Sequence, residues 1–273
     1  MTDRDDEPTT PPAEAPDTAQ GATGHDATTT VADDLRPAQR EAKAQRLGRR
    51  IPLVSGTVGI VVAALLGVII MARSGGLPFE FDEEWAEDLV EIRGPVGDVF
   101  GYFMNTLGGG LAGVFVVPVV TASILLIARR PWAALYFIAA SAASAGVVQI
   151  LKRSFLRARP EDILVTSDTG SFPSGHVGNA ATIAVALGVI LPYVWVWVLG
   201  AVYTVLMAIS RTYLGAHWVS DTIGGALVGA GVALVLWALF AAALERERLA
   251  RLARISAVNA ARAQAHVTPP VRP

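Results

Sequence analysis

Apolar and polar positions divide this chain into three stretches. Residues 1–50 are polar, residues 51–244 hold long uncharged runs cut by short polar breaks, and residues 245–273 return to charge. A helix crosses the hydrocarbon core of a bilayer with about 20 apolar residues. Six runs approach that length: Ile51–Ala72, Leu107–Ala128, Trp132–Leu151, His176–Leu191, Val194–Arg211 and Val219–Leu244. The fourth is short, and only the break at Pro192-Tyr193 parts it from the fifth, which implies an antiparallel pair. The pattern predicts an all-α fold, a six-span transmembrane helical bundle over residues 51–244.

The flanking stretches read differently. Met1 to Thr30 is rich in Thr, Pro, Ala, Asp and Gly and nearly devoid of large apolar side chains. Such a segment buries too little surface to offset its ordering entropy, so residues 1–50 are expected to form a disordered cytoplasmic tail. The tract is too long and too polar to begin a signal peptide, so the first apolar run is expected to stay as an anchor. The basic tail, residues 245–273, spaces Leu249, Leu252 and Ile255 roughly as a helix does. Two readings stand for it: an amphipathic helix lying on the membrane, or the frayed end of the sixth span.

Composition agrees with a membrane protein. Hydrophobic residues make up 52% of the 273, and the net charge of −2 offers no basic field for nucleic acid. The absence of cysteine excludes disulfides, thiolate metal sites and a cysteine nucleophile. Basic residues flank spans on the cytoplasmic side. Arg40, Lys43, Arg46, Arg49 and Arg50 precede span one, Arg129 and Arg130 follow span two, and Arg246, Arg248, Arg251 and Arg254 follow span six. All share one side if both termini are cytoplasmic. The acidic segment Phe79–Asp98 then lies outside, and its Trp85 and apolar spacing predict a helix on the outer surface.

One segment opposes this bias. Lys152, Arg153, Arg157 and Arg159 follow span three, on the translocated side. A grip on anionic headgroups would explain them, and so would a phosphate site. Two further fragments favour phosphate: Pro173-Ser174-Gly175-His176, and Ser210-Arg211 followed by His217 and Asp221. In the six-span topology the ends of spans three and five and the starts of four and six share the outer face. Lys152, Arg159, His176, Arg211, His217 and Asp221 therefore fall at one depth. Ionisable groups beside spans are costly and point to function. Ser174 is a candidate N-cap, Gly175 admits a ligand to the backbone, and a helix start binds anions. His217 and Asp221 share a helical face at i, i+4, so the carboxylate can fix the imidazole tautomer. A capped helix start, a packed polar pair and a snorkelling Arg211 are the plain alternatives for each fragment taken singly.

Together, the fragments Lys152-x6-Arg159-Pro160, Pro173-Ser174-Gly175-His176 and Ser210-Arg211-x5-His217-x3-Asp221 resemble the type 2 phosphatidic acid phosphatase superfamily. It spans lipid phosphate phosphatases, bacterial phosphatidylglycerophosphate and undecaprenyl pyrophosphate phosphatases, glucose-6-phosphatase and the vanadium haloperoxidases. The resemblance covers Lys152 to Asp221 with every fixed position in order. It implies that His217 is the nucleophile, forming a phosphohistidine, that Asp221 orients it, and that His176 protonates the leaving oxygen. It implies that Lys152, Arg159 and Arg211 hold the phosphate oxygens with help from Ser174 and the Gly175 amide, and that no metal or other cofactor is needed.

An outward site between helices suits a lipid phosphate whose tail stays in the bilayer. The expected activity is hydrolysis of a polyprenyl pyrophosphate, phosphatidic acid or phosphatidylglycerophosphate at the extracytoplasmic face of the plasma membrane. A lipid phosphotransferase and a non-catalytic membrane binding protein are the alternatives; a haloperoxidase fits poorly, since those enzymes are soluble. Gly108-Gly109-Gly110, Gly224-Gly225 and Gly229 read as close helix packing, with tail entry a second reading for the first run. The oligomeric state is not legible.

Overall fold

The computed structural model describes residues 27–74, 76–166 and 170–267, with side chains described within 48–264. Every regular element in them is helical: α1 (Ala27–Ser74), α2 (Glu80–Glu91), α3 (Pro95–Gly108), a π-helical turn (Ala112–Val116), α4 (Val117–Ile127), α5 (Pro131–Phe155), α6 (Gly175–Ile190), α7 (Val194–Tyr213) and α8 (Val219–Val267). The chain divides into two units, residues 1–45 and 46–273, and the helical bundle belongs to the second.

Among the described residues, four helices are long and apolar enough to cross a membrane: Gly48–Arg73 of α1, α5, α7 and Val219–Gln264 of α8. Pro95–Gly108 and Ala112–Ile127 add a fifth if they count as one span, bent by 43°. Helix α6 is largely apolar but has only 16 residues, about 24 Å of rise, and is shorter than a normal span. The second span thus differs from the expected Leu107–Ala128. It starts twelve residues earlier, where Gly94-Pro95 opens a helix and proline takes a position that needs no N–H donor. Asp98 and Asn105 lower the hydropathy of that stretch and hide its start.

The N-terminal tail differs from expectation, and the C-terminal one follows the second of its two readings. α1 begins at Ala27, so the part of the expected disordered tail from Ala27 to Arg50 is helical; residues 1–26 lie outside the described residues. Ala38 to Arg50 is rich in strong helix formers, Ala, Gln, Glu, Lys, Leu and Arg. At the other end α8 runs unbroken for 49 residues, so Leu249, Leu252 and Ile255 continue the last span's helix rather than form a separate one.

Helix α6 is the centre of the bundle. Val177, Gly178, Ala180 to Ile183, Ala186, Gly188 and Ile190 are buried on all sides, as befits a helix apolar all round. Against it pack Phe137 and Ala140 of α5 and Ala233 of α8, with Met104 of α3 and Met207 of α7 on another flank. α8 approaches backbone to backbone: a Cβ added to Gly229 would lie 2.0 Å from the Gly178 carbonyl oxygen, and one on Gly225 would lie 2.4 Å from that of Ser174. The packing role read for these glycines holds. Arg130 closes the far end of α6, donating from Nη1 to the Ile190 carbonyl at 3.0 Å and reaching Glu247 at 3.4 Å.

Candidate active site

The start of α6 is the floor of the site. Ser174 precedes the helix in extended conformation, as an N-cap residue does, but its side chain makes no cap hydrogen bond. Its Oγ is buried without a hydrogen-bond partner among the described residues. The main chain fixes it instead: Ser174 N donates to the Asp221 carbonyl at 2.9 Å, tying the start of α6 to that of α8. The first N–H groups of α6 have no acceptor within the helix and make its end electropositive.

The cations arrive from three places. Lys152, in the last turn of α5, donates to the Gly170 carbonyl at 2.9 Å. Leu156, at φ 48°, then turns the chain out of α5. Arg159, in the loop beyond, donates to the same carbonyl at 2.9 Å and also to the Ala216 carbonyl. Arg211, in the last turn of α7, donates to Asn105 Oδ1. Gly215, at φ 65°, ends α7 in the left-handed conformation that favours glycine. The short turn after it delivers His217 to the mouth of α8.

Lys152, Arg159, Gly175, His176, Arg211 and His217 line one cavity of about 700 Å³. Its polar end continues into an apolar wall formed by Val114, Phe115, Pro118, Val119, Ile138 and Ala142. Of the residues singled out in the sequence, Ser174 and Asp221 do not line the cavity. Asp221 lies behind His217, with Oδ2 3.6 Å from His217 Nδ1, just beyond a hydrogen bond. The same Oδ2 accepts the Trp218 N–H at 2.9 Å, a reach back to the residue before α8 that closes its first turn. His217 lies between α7 and α8 and is buried. Burial, then the charges of Lys152, Arg211, Arg159 and His176, push its pKa well below the ordinary imidazole value of 6.5. The ring is therefore neutral near pH 7, and Asp221 approaches it on the Nδ1 side.

The break in the second span shapes the site. Breaking a helix frees carbonyls, which at membrane depth must find donors. Two residues three apart on α6 engage them: His176 Nε2 lies 3.1 Å from the Asn105 carbonyl, and Asn179 Nδ2 donates to those of Gly108 (3.3 Å) and Gly113 (3.0 Å). Gly110 turns the chain at φ 56°. Gly109 gives room to His176: a Cβ there would lie 2.1 Å from His176 Nε2.

Four contributors escaped the sequence reading. Asn105 holds Arg211, and Asn179 satisfies the broken span. Arg157 was seen only as one charge of a basic loop; it turns away from the cavity and is fully buried. Asp82 lies on α2, which is the helix expected in the acidic segment, but this carboxylate points inward and is buried. Its signal was weak: one acid among seven on an amphipathic helix.

Known proteins complete the picture. Residues 133–245 match the PAP2 superfamily. The chain is 34% identical to phosphatidylglycerophosphatase B of Bacillus subtilis over 164 residues, 54% of this chain and 77% of that protein. It is 42% identical to an undecaprenyl-diphosphatase of Sulfolobus acidocaldarius over 65 residues, 24% of this chain and 31% of that one. Among solved structures it resembles the transmembrane PAP2-type phosphatidylglycerolphosphate phosphatase of Bacillus subtilis, with a TM-score of 0.59 and 26% identity over 67% of this chain and 94% of that one. It also resembles Aquifex aeolicus LpxE, with a TM-score of 0.52 and 27% identity over 58% and 95% of the two chains.

Proposed function

Because the chain belongs to the PAP2 superfamily, we propose that it is a six-span lipid phosphatase that removes phosphate from a lipid phosphomonoester or pyrophosphate through a phosphohistidine, at the extracytoplasmic face of the plasma membrane. The observation that carries this reading is the single cavity in which Lys152, Arg159, His176, Arg211 and His217 meet and which continues into an apolar wall. A phosphate fits the polar end, and a lipid tail fits the wall.

The reaction runs in two steps. Lys152, Arg159 and Arg211 hold and neutralise the phosphate oxygens, with the first N–H groups of α6 and the Ser174 hydroxyl alongside. Phosphoryl transfer depends chiefly on such positioning and charge stabilisation. His217 Nε2 attacks phosphorus while the bond to the leaving oxygen breaks, and protonated His176 gives that oxygen its proton. Asp221 offsets the positive charge that develops on the His217 ring. Water then attacks the phosphohistidine, neutral His176 takes the proton from the water, and the P–N bond breaks. Phosphate leaves and both rings return to their starting protonation states. Three cations supply the charge neutralisation that a metal would otherwise bring, so the proposed reaction is metal-independent. The arginines at Arg40–Arg50, Arg129–Arg130 and Arg246–Arg254 support cytoplasmic termini and an outward site.

The test is phosphate release by purified protein in EDTA, from undecaprenyl pyrophosphate and from phosphatidic acid, with His217→Ala alongside. Release that survives chelation and vanishes in the variant is expected, and the preferred lipid defines the substrate. Absence of release from lipid phosphates and pyrophosphates alike refutes the proposal, and release by both proteins refutes the assigned nucleophile.

A further inference from the structure

Behind His217 lies a chain of charge that the two steps above do not use. Arg157 is buried between two carboxylates: Nη2 donates to Asp82 Oδ2 at 2.9 Å and Nη1 to Asp221 Oδ1 at 2.6 Å, and all three side chains have no exposed surface. Arg157 Nη1 also donates to Ser220 Oγ at 2.7 Å, and that hydroxyl in turn donates to Asp82 Oδ2 at 2.6 Å. Asp82 Oδ1 accepts the Ser220 N–H at 2.9 Å, so a carboxylate from α2 caps α8 across 138 positions of sequence. The Trp218 ring lies 5.8 Å from the Arg157 guanidinium carbon.

The division of Arg157 between two acids decides what Asp221 can do. A planar guanidinium serves two carboxylates at fixed angles. With one arm held by Asp82, Arg157 takes only Oδ1 of Asp221. Oδ2 is left to the Trp218 N–H and to His217 Nδ1. Charge follows the same logic. Asp82 neutralises Arg157, so the negative charge of Asp221 remains for the His217 ring as it becomes positive. Were Asp82 neutral, Arg157 and Asp221 would close into a neutral pair, and Arg157 would draw the carboxylate away from the ring.

We propose that Asp82 is a positioning residue for the reaction: through Arg157 it holds the Asp221 carboxylate, and so the His217 ring, in the attacking orientation. The outer helix α2 is thereby part of the catalytic apparatus, although it contributes nothing to the cavity wall. The proposal rests on the phosphatase reading for its kinetic consequence, while the link from Asp82 to His217 stands on the geometry alone.

The experiment compares wild type, Asp82→Asn, Asp82→Glu and Arg157→Lys in detergent, by phosphate release from phosphatidic acid and by titration of the ring-¹⁵N histidine signals, with His217→Ala identifying the His217 resonance. The charged and titratable groups around that ring are Lys152 from α5, Arg157 and Arg159 from the loop after it, His176 from α6, Arg211 from α7 and Asp221 from α8. Asp82→Asn removes one negative charge behind them, so the His217 titration moves to lower pH. The same variant lowers kcat about 10- to 100-fold, by analogy with the loss of an outer partner that orients a metal-binding histidine or carboxylate, with KM within twofold. Asp82→Glu retains the wild-type titration and recovers part of kcat. Arg157→Lys, whose point charge cannot bridge two carboxylates, lowers kcat on the same scale; it decides the matter if Asp82→Asn does not fold. A folded Asp82→Asn with an unmoved His217 titration and kcat within twofold of wild type overturns the proposal, as does a wild-type-like Arg157→Lys. If wild type releases no phosphate but Asp82→Asn still shifts the His217 titration, the phosphatase reading fails and the positional link holds.

Discussion

Replacing Gly109 with alanine adds one methyl group against His176, the proposed general acid. Gly109 has φ −144° and ψ −165°, extended backbone that alanine adopts without strain, so the consequence is purely steric. The new Cβ would stand 2.1 Å from His176 Nε2 and 2.3 Å from Cε1. Ordinary contact begins near 3.4 Å, so the imidazole must retreat by about 1.3 Å. That breaks its 3.1 Å contact with the Asn105 carbonyl and moves the proton donor off the leaving oxygen. A misplacement of about 1 Å costs roughly 100-fold in rate, or about 2.7 kcal/mol of barrier. Folding suffers less, because a side chain rather than backbone yields; the lost hydrogen bond is worth about 1 kcal/mol. The assay is kcat for phosphate release beside a thermal melt in the same detergent, with Gly146→Ala as control, since a Cβ at Gly146 meets nothing within 4 Å. The expected result is a kcat about 100-fold below wild type with the melting temperature little changed. A kcat for Gly109→Ala within twofold of wild type would refute the role of this glycine and weaken that of His176 as the acid.

Gly229→Ala should act on stability instead, because its Cβ would meet the Gly178 carbonyl of α6 at 2.0 Å and neither backbone can step aside; a loss of about 1–3 kcal/mol is expected in a detergent melt, and an unchanged melt contradicts the packing. The pH dependence of kcat/KM should show an acid limb well below 6.5, since attack needs neutral His217 and its folded pKa is depressed; a limb at 6.5 or above contradicts that environment. The sign for stability follows: below pH 6.5 the unfolded chain protonates this histidine while the folded chain does not, so stability present above 6.5 is lost as pH falls toward the folded value. His217→Ala should flatten that dependence in melts taken across the window, besides lowering phosphate release by about 10,000-fold or more.

Long elements with one dominant signal were legible in the chain. The uncharged runs became α1, α5, α7 and α8, and Pro192-Tyr193 marked the turn between α6 and α7. The second span was not fully legible, because two physical signals conflict there. Hydropathy starts it at Leu107, whereas the helix begins at the Gly94-Pro95 signal and carries Asp98 and Asn105 into the apolar stretch. Both polar side chains have partners elsewhere: Asp98 accepts from the Tyr213 hydroxyl at 2.9 Å, and Asn105 accepts from Arg211. A window of hydropathy counts a polar residue as a cost and does not see the donor that removes it.

The site divides along the same line. Lys152, Arg159, His176, Arg211 and His217 stand at span ends that a topology alone brings together, and the cavity holds all five. Asp82 is different in kind. Its neighbours Glu80, Glu83, Glu84, Glu87, Asp88 and Glu91 are equally acidic, and only the rotation of α2 against α8 turns this one inward. That rotation is set by contacts far along the chain, Trp85 Nε1 to Thr212 Oγ1 at 3.0 Å among them, and by a buried cation that must be neutralised. An Arg157 left with Asp221 alone would consume the carboxylate that the proposed nucleophile His217 needs. The second acid was therefore required once Arg157 was known to be buried, and burial is what the linear sequence does not record.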